Sequence, residues 1–326
     1  MEFLLLAGSL ALLLIAAHYF VDGVSGIAAA LGVPPVVIGM TVVAFGTSTP
    51  ELVVNGLSAA RGSTDLAFGN VVGSCLVNVG FVLAITAIIK PMKVEPSLIT
   101  REIPMLIVGV ATLVVLSSDR WLDGTAENMW RRTDGLVLLL LFCIFLYYTT
   151  RQAITSRRTD VFIAEVKEEA ARAKPQPLWR EILYTVGGLV GVSQGATWTV
   201  DHAVLIARAF GLSEAVIGLT IISLGTTLPE LATCILAARR GDPDIALGNI
   251  VGSNIFNVLC IGGLVATINP VKLPEGGHTD LLVMALLSIV LLPIAIRSQR
   301  TITRGEGIFL LAVFVSYLSW RLSQAL

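Results

Sequence analysis

Charge is scarce in this chain. Lysine, arginine, aspartate and glutamate supply 14% of its 326 residues, against about a quarter in an ordinary soluble domain. With 55% hydrophobic residues and a mean hydropathy of +0.83, the deficit excludes a soluble globular fold and points to a polytopic membrane protein. No basic stretch carries interleaved aromatics, so nucleic acid is excluded as a partner. The four cysteines (Cys75, Cys143, Cys234, Cys260) have no C-x-x-C spacing and lie within apolar runs, which assigns them to packing. There is no Ser-His-Asp set, H-E-x-x-H or phosphate-binding glycine loop. An intramembrane enzyme would therefore lack a nucleophile with a base, and no cofactor is expected. The first apolar run continues into further spans without an A-x-A-like site, so no cleaved signal peptide is expected.

Apolar length, by contrast, is plentiful. Ten stretches read as candidate spans of about 30 Å of hydrocarbon, the fourth, fifth, ninth and tenth being short and extended towards the interfaces by their polar flanks. They lie near residues 3–21, 34–60, 66–89, 103–118, 135–150, 182–200, 213–238, 245–268, 281–296 and 307–322. The chain also repeats itself. Gly-Thr-Ser-Thr-Pro-Glu at 46–51 recurs 179 residues later as Gly-Thr-Thr-Leu-Pro-Glu at 225–230. Across Gly39–Gly80 and Gly218–Leu259, 20 of 42 positions are identical without a gap. Flanking pairs keep the same offset, from Asp22 and Asp201 through Gly32 and Gly211 to Pro91 and Pro270. The expected fold is an all-α polytopic membrane protein of ten transmembrane helices in two five-helix repeats. The first repeat covers 1–150, with its core at 34–89; the second covers 181–326, with its core at 213–268; a linker, 151–180, joins them. An odd number of spans per repeat inverts the second copy relative to the first, about an axis in the membrane plane.

Basic residues orient the spans. With the N-terminus outside, 15 lysines and arginines fall on inner loops, seven of them between Arg151 and Arg180, and seven fall on outer loops. The positive-inside rule favours this arrangement, with both termini outside and the 151–180 segment cytoplasmic. Trp121, Trp130 and Trp320 are then expected at the outer interface, and Trp179 at the inner one. The stretch Asp160–Ala173 reads either as a short amphipathic surface helix or as a solvated linker. It holds no D-x-[DN]-x-[DN]-G pattern, so no regulatory Ca²⁺-binding domain is expected.

Glu51 and Glu230 carry the chemistry. An ionised carboxylate at mid-membrane costs at least ~2.5–3.5 kcal/mol on insertion scales, so such a residue faces partners or water. Each follows a proline whose missing N–H frees a carbonyl about one turn earlier, near Gly46 or Gly225. Thr47, Ser48, Thr226 and Thr227 add hydroxyls. Hydroxyls, carbonyls and a carboxylate form a hard oxygen set that suits Na⁺ and Ca²⁺ rather than a transition metal. The alternative, a helix kink with a snorkelling glutamate, sits poorly with two copies at one depth. Downstream, Gly69 to Asn78 and Gly248 to Asn257 share a second motif. Asn70, Ser74 and Asn78 lie along one helix face, as do Asn249, Ser253 and Asn257. Such stripes serve interhelical hydrogen bonding or, meeting the glutamate turns about the axis, cation coordination.

The paired G-T-[ST]-x-P-E and G-N-[IV]-V-G-S-x-x-x-N segments resemble the α-repeats of the sodium/calcium exchanger family, within the Ca²⁺/cation antiporter superfamily. The resemblance covers nearly the whole chain and suggests a bacterial-type member without regulatory domains, in the inner membrane. It implies alternating-access antiport with Glu51, Asn78, Glu230 and Asn257 central to the site. Supporting oxygens would come from Thr47, Ser48, Ser74, Thr226, Thr227 and Ser253, and from the carbonyls of Ala44 and Ser223. Family members that carry aspartate where this chain has Asn257 differ in charge. With asparagine at 78 and 257 the site's formal charge is −2 when both glutamates ionise, which one Ca²⁺ or two Na⁺ neutralise; a third Na⁺ would leave excess positive charge.

Asp22 and Asp201, near the ends of the first and sixth helices, read as loop-positioning or interfacial residues. His18 and His202 lack a second nearby ligand and are assigned no metal. The expected function is a secondary active antiporter that uses the inward Na⁺ gradient to expel Ca²⁺, with Na⁺, Ca²⁺ and the lipid bilayer as partners and no obligate protein partner. H⁺-coupled exchange is the nearest alternative, and a cation channel the next.

Overall fold

The computed structural model describes residues 1–122, 124, 127–156, 177–210 and 223–325. Side chains of residues 152–156, 223, 298 and 325 are excepted. The 160–173 segment and the first part of the seventh span lie outside the described residues. Helices follow the repeat: α1 (Glu2–Leu31), α2a (Pro35–Thr47), α2b (Thr49–Ala60), α3 (Thr64–Ile89), α4 (Leu98–Leu116) and α5 (Arg132–Ser156) in the first half. The second half holds α6 (Leu178–Ala209), a short turn at Ser223–Gly225, α7 (Leu228–Arg240), α8 (Pro243–Ile268), α9 (Gly277–Arg300) and α10 (Arg304–Ala325). Seven described helices are long and apolar enough to cross a membrane, and the bent α2 pair makes an eighth. The α6 helix is less apolar because glycines, threonines, Ser193 and Gln194 punctuate it.

The first and sixth expected spans fall furthest short of the observed helices. The first span runs to Leu31 rather than 21, and the sixth covers 178–209 rather than 182–200. At 30 and 32 residues these helices measure about 45–48 Å, longer than the hydrocarbon they cross. Asp22 and Asp201 consequently lie within helices and not at their ends. The polar residues that suggested an end are absorbed by neighbours instead: Asp22 pairs with Arg240, and Ser25 donates to Asp242 at 3.0 Å.

Both Pro-Glu segments break their helices at equivalent residues. Ser48 (φ −89°, ψ 7°) separates α2a from α2b, and Thr227 (φ −95°, ψ 5°) precedes α7. Each proline then stands in the first turn of the next helix, where its missing N–H leaves no bond unmade. The α2 halves meet at 49°. A second irregularity also repeats: α3 widens into a π-helical turn over Asn78–Leu83, and α8 over Phe256–Ile261. Such turns concentrate at functional sites.

Glycine sets the closest approaches. The α1 and α6 helices pack antiparallel; a methyl on Gly188 would meet the Phe20 backbone N at 2.6 Å, and one on Gly195 the Leu13 N at 2.8 Å. The α2a helix lies on α8 just as tightly, where a methyl on Gly252 would meet Met40 Cα at 2.6 Å. The α3 and α8 spans are the innermost, 72% and 83% buried, against 17% for α10. The α5 helix covers the second half of α8, and α10 covers that of α3; α4 packs on α9.

Two antiparallel two-residue ladders close opposite faces. Strand β1 (Met92–Lys93) pairs with β4 (Thr301–Ile302), and β2 (Met129–Trp130) with β3 (Val271–Lys272). Each ladder joins one repeat to the other, and β1 and β3 occupy equivalent positions, so the pairings are related by the inverted symmetry. We call the face with the β2–β3 ladder and Arg321 the terminal face. Trp121, Trp179 and Trp320 are exposed as interfacial residues would be, but Trp130 is 0% exposed. Its indole N–H donates to Ser117 Oγ at 2.6 Å and its ring packs on Phe68. A ladder strand carries it inward, so the expectation of an interfacial Trp130 is corrected.

Candidate cation site

The two breaks place Glu51 and Glu230 in the first turn of α2b and α7, where exposed backbone N–H groups favour a carboxylate. Glu51 is 2% exposed and Glu230 1%. The repeats meet here directly, because Ser48 Oγ of the first half donates to Glu230 Oε1 of the second at 3.2 Å. Thr47 Oγ1, also buried, donates toward the Val43 carbonyl (3.1 Å) and Asn249 Oδ1 (3.2 Å), the latter on α8. Thus α2a, α7 and α8 converge on one buried locus.

The asparagine stripes run along the same wall. Asn78 opens the π turn of α3 and Asn257 lies in that of α8, both buried. One turn earlier, Ser74 donates to Asn70 Oδ1 at 3.3 Å and Ser253 to Asn249 Oδ1 at 3.4 Å, the same bond in each repeat. Thr227 Oγ1 donates to the Leu224 carbonyl at 2.9 Å, and Thr226 is half-buried beside it. The Ala44 carbonyl accepts the Ser48 N–H at 3.0 Å, so only its second lone pair could serve a cation. The Gly46 carbonyl is likewise taken by a backbone N–H at the helix cap and is not freed as expected. Ser223 opens the turn before α7, and its side chain lies outside the described residues.

Buried oxygens without partners give the site its character. Both carboxylate oxygens of Glu51, Oε2 of Glu230, Oδ1 of Asn78 and Oδ1 of Asn257 are buried and make no hydrogen bond. All belong to the four residues that the resemblance placed at the centre. A buried acceptor left unmade costs about 1–3 kcal/mol, more when charged. Five such acceptors need a donor or a cation, and an all-oxygen set of carboxylate, amide and hydroxyl groups matches a hard cation.

Three residues outside the expected ligand set also belong to this region. Asn249 accepts from Thr47 and donates toward Cys234 Sγ at 3.3 Å. Asn254 accepts from Asn78 Nδ2 at 3.0 Å. Asn55 donates to the Glu51 carbonyl at 2.8 Å while its own Oδ1 stays unpartnered. Asn249 was visible as part of a stripe. Asn254 and Asn55 face cysteines in the repeat alignment, so identity between repeats could not flag them.

A family model described as "Sodium/calcium exchanger protein" matches residues 1–151 and 181–323. The putative antiporter CaxA of Alkalimonas amylolytica is 37% identical over 94% of each chain. The sodium/calcium exchanger MaX1 of Methanosarcina acetivorans is 31% identical over 97% of each. Among solved structures, the sodium-calcium exchanger NCX_Mj soaked with 2.5 mM Na⁺ and 10 mM Sr²⁺ superposes with a TM-score of 0.82, at 30% identity over 98% of this chain and 99% of that one.

Proposed function

This chain belongs to the sodium/calcium exchanger family, a group of integral membrane transporters rather than enzymes, and on that premise we propose that it exchanges Na⁺ for Ca²⁺ by alternating access. The observation that carries this reading is the set of five buried, unpartnered oxygens on Glu51, Asn78, Glu230 and Asn257. Thr47, Ser48, Ser74, Thr226, Thr227 and Ser253, with the Ala44 and Ser223 carbonyls, complete the proposed shell.

Charge explains the exchange. Two ionised glutamates give −2, which one Ca²⁺ bridging them neutralises, as do two Na⁺ held separately. The species compete for the same oxygens, so occupancy by one excludes the other. The inward Na⁺ gradient then drives Ca²⁺ out, with the terminal face outside and the 151–180 linker in the cytoplasm. Residues 1–150 and 181–326 act as two inverted halves around the fixed α2, α3, α7 and α8 core. The α1–α6 pair, joined by its glycine seam, moves across that core as one body. Arg240 on α7 binds Asp22 on α1 and so anchors that body on the face opposite the termini.

Proteoliposomes containing the full chain, with imposed Na⁺ and Ca²⁺ gradients, test the reading. Ca²⁺ flux should require a Na⁺ gradient at constant pH and reverse when that gradient is reversed. Flux that ignores Na⁺ and follows a pH gradient would assign H⁺ coupling instead, and currents far above carrier turnover would assign a channel.

A further inference from the structure

Cys75 and Asn254 occupy equivalent positions in the two repeats, yet they touch each other. Asn254 Nδ2 donates to the Cys75 carbonyl at 3.4 Å, and Cys75 Sγ approaches the Asn254 carbonyl at 3.9 Å. A residue that meets its own repeat mate lies on the pseudo-twofold axis, here where α3 crosses α8. Both are buried, at 1% and 0% exposure. Symmetry fails at this point, because one repeat supplies a thiol and the other an amide.

The difference reaches the cation site through Asn78. Its Nδ2 donates to Asn254 Oδ1 at 3.0 Å. A carboxamide is planar, with nitrogen and oxygen on opposite branches, so holding the nitrogen fixes the direction of the oxygen. That oxygen, Asn78 Oδ1, is one of the five unpartnered acceptors. The mirror contact would join Asn257 to Cys75, and a thiol is a weak acceptor. Among the described residues the Asn257 side chain makes no hydrogen bond, and its Oδ1 is also unpartnered.

We propose that Asn254 is a positioning residue for the cation site: it holds the Asn78 NH₂ so that the Asn78 carbonyl oxygen faces the bound ion, and it makes the two amide ligands unequal. The inference rests on the exchanger reading above. Without Asn254 the Asn78 amide can rotate by half a turn. The NH₂ would then face the cation, removing a ligand and adding a repelling dipole. Asn257 lacks this restraint and can follow the different radii and coordination demands of Na⁺ and Ca²⁺.

The test is a double-mutant cycle on the full chain in detergent micelles, read by calorimetric titration with Ca²⁺ at fixed Na⁺. Asn254→Ala should weaken Ca²⁺ binding about tenfold, the yield of one net hydrogen bond. In an Asn78→Asp background the same substitution should change affinity less than about twofold, since both carboxylate oxygens accept and no orientation remains to be set. Asn254→Cys, kept reduced, repeats the test with the side chain the axis already accommodates at position 75. Unchanged binding in Asn254→Ala or Asn254→Cys, or equal loss in both backgrounds, overturns the proposal while leaving the exchanger reading intact. Absence of Ca²⁺ binding by the unmutated chain overturns both.

Discussion

Arg240 is ion-paired with Asp22 on one face of the bundle, whereas their repeat equivalents, Arg61 and Asp201, stand exposed and their side chains make no ion pair or hydrogen bond among the described residues. The first pair ties α7 to α1; the second would tie α2b to α6 on the terminal face. One sequence relationship thus appears once closed and once open, an asymmetry that the proposed alternating access would reverse on moving to the opposite facing. Asp22 is 44% exposed and Arg240 21%, so the pair contributes at most about 1 kcal/mol. Asp22→Asn should therefore shift the equilibrium between the two facings by up to about fivefold. Asp201→Asn should leave the resting distribution unchanged. Modification of single cysteines placed on either face of the site reads that distribution; equal shifts in both variants would contradict the asymmetry.

Removing either carboxylate should abolish exchange. Glu51→Gln takes away two of the five unpartnered oxygens as charged ligands, and Glu230→Gln a third. A charge left without its buried counterpart is worth about 3–5 kcal/mol, so Ca²⁺ affinity should fall more than about a hundredfold in each. The fold should persist, because neither glutamate is held in an ion pair among the described residues. Radioactive Ca²⁺ uptake together with a melting curve in detergent separates loss of function from loss of structure.

Adjacent glycines on α6 make a sharp packing test. A methyl on Gly188 would meet the Phe20 backbone at 2.6 Å, while one on Gly187 meets nothing within 4 Å. Gly188→Ala should force α1 and α6 apart at a cost of about 1–3 kcal/mol. Gly187→Ala should be neutral or stabilise by up to about 1 kcal/mol through helix propensity. Thermal unfolding of the two variants side by side measures the contrast.

Trp130 locks the terminal-face ladder from within. Trp130→Phe keeps most of the ring but loses the indole donor to Ser117, and should cost about 1 kcal/mol. Trp130→Ala also empties the space against Phe68 and should cost about 3–5 kcal/mol. Equal melting temperatures for the two variants would show that the hydrogen bond, and not the packing, dominates.

Much of this architecture was legible from residue order. Low charge and ten apolar runs gave the helices their number, and the repeat gave them their inverted pairing. The glutamates stood out because a carboxylate in a long apolar run is costly wherever it is placed. Helix ends were harder to read. Asp22 and Asp201 looked like termini, yet both lie inside long helices, because one finds a basic partner across the bundle and the other faces outward. Trp130 misled for a similar reason: its type suits an interface, but pairing with a strand from the other repeat carried it inward.

The sequence by itself determined that two copies of a carboxylate, hydroxyl and amide set are carried on inverted halves, since composition and periodicity act locally and survive without coordinates. Only the tertiary structure decided how those sets meet. Ser48 reaching Glu230, and Cys75 touching its own repeat mate Asn254, are contacts between residues 182 and 179 positions apart. The first exists because the α2 break meets the start of α7, the second because α3 and α8 cross at the pseudo-twofold axis, and such meeting points are properties of packed helices that no local pattern encodes.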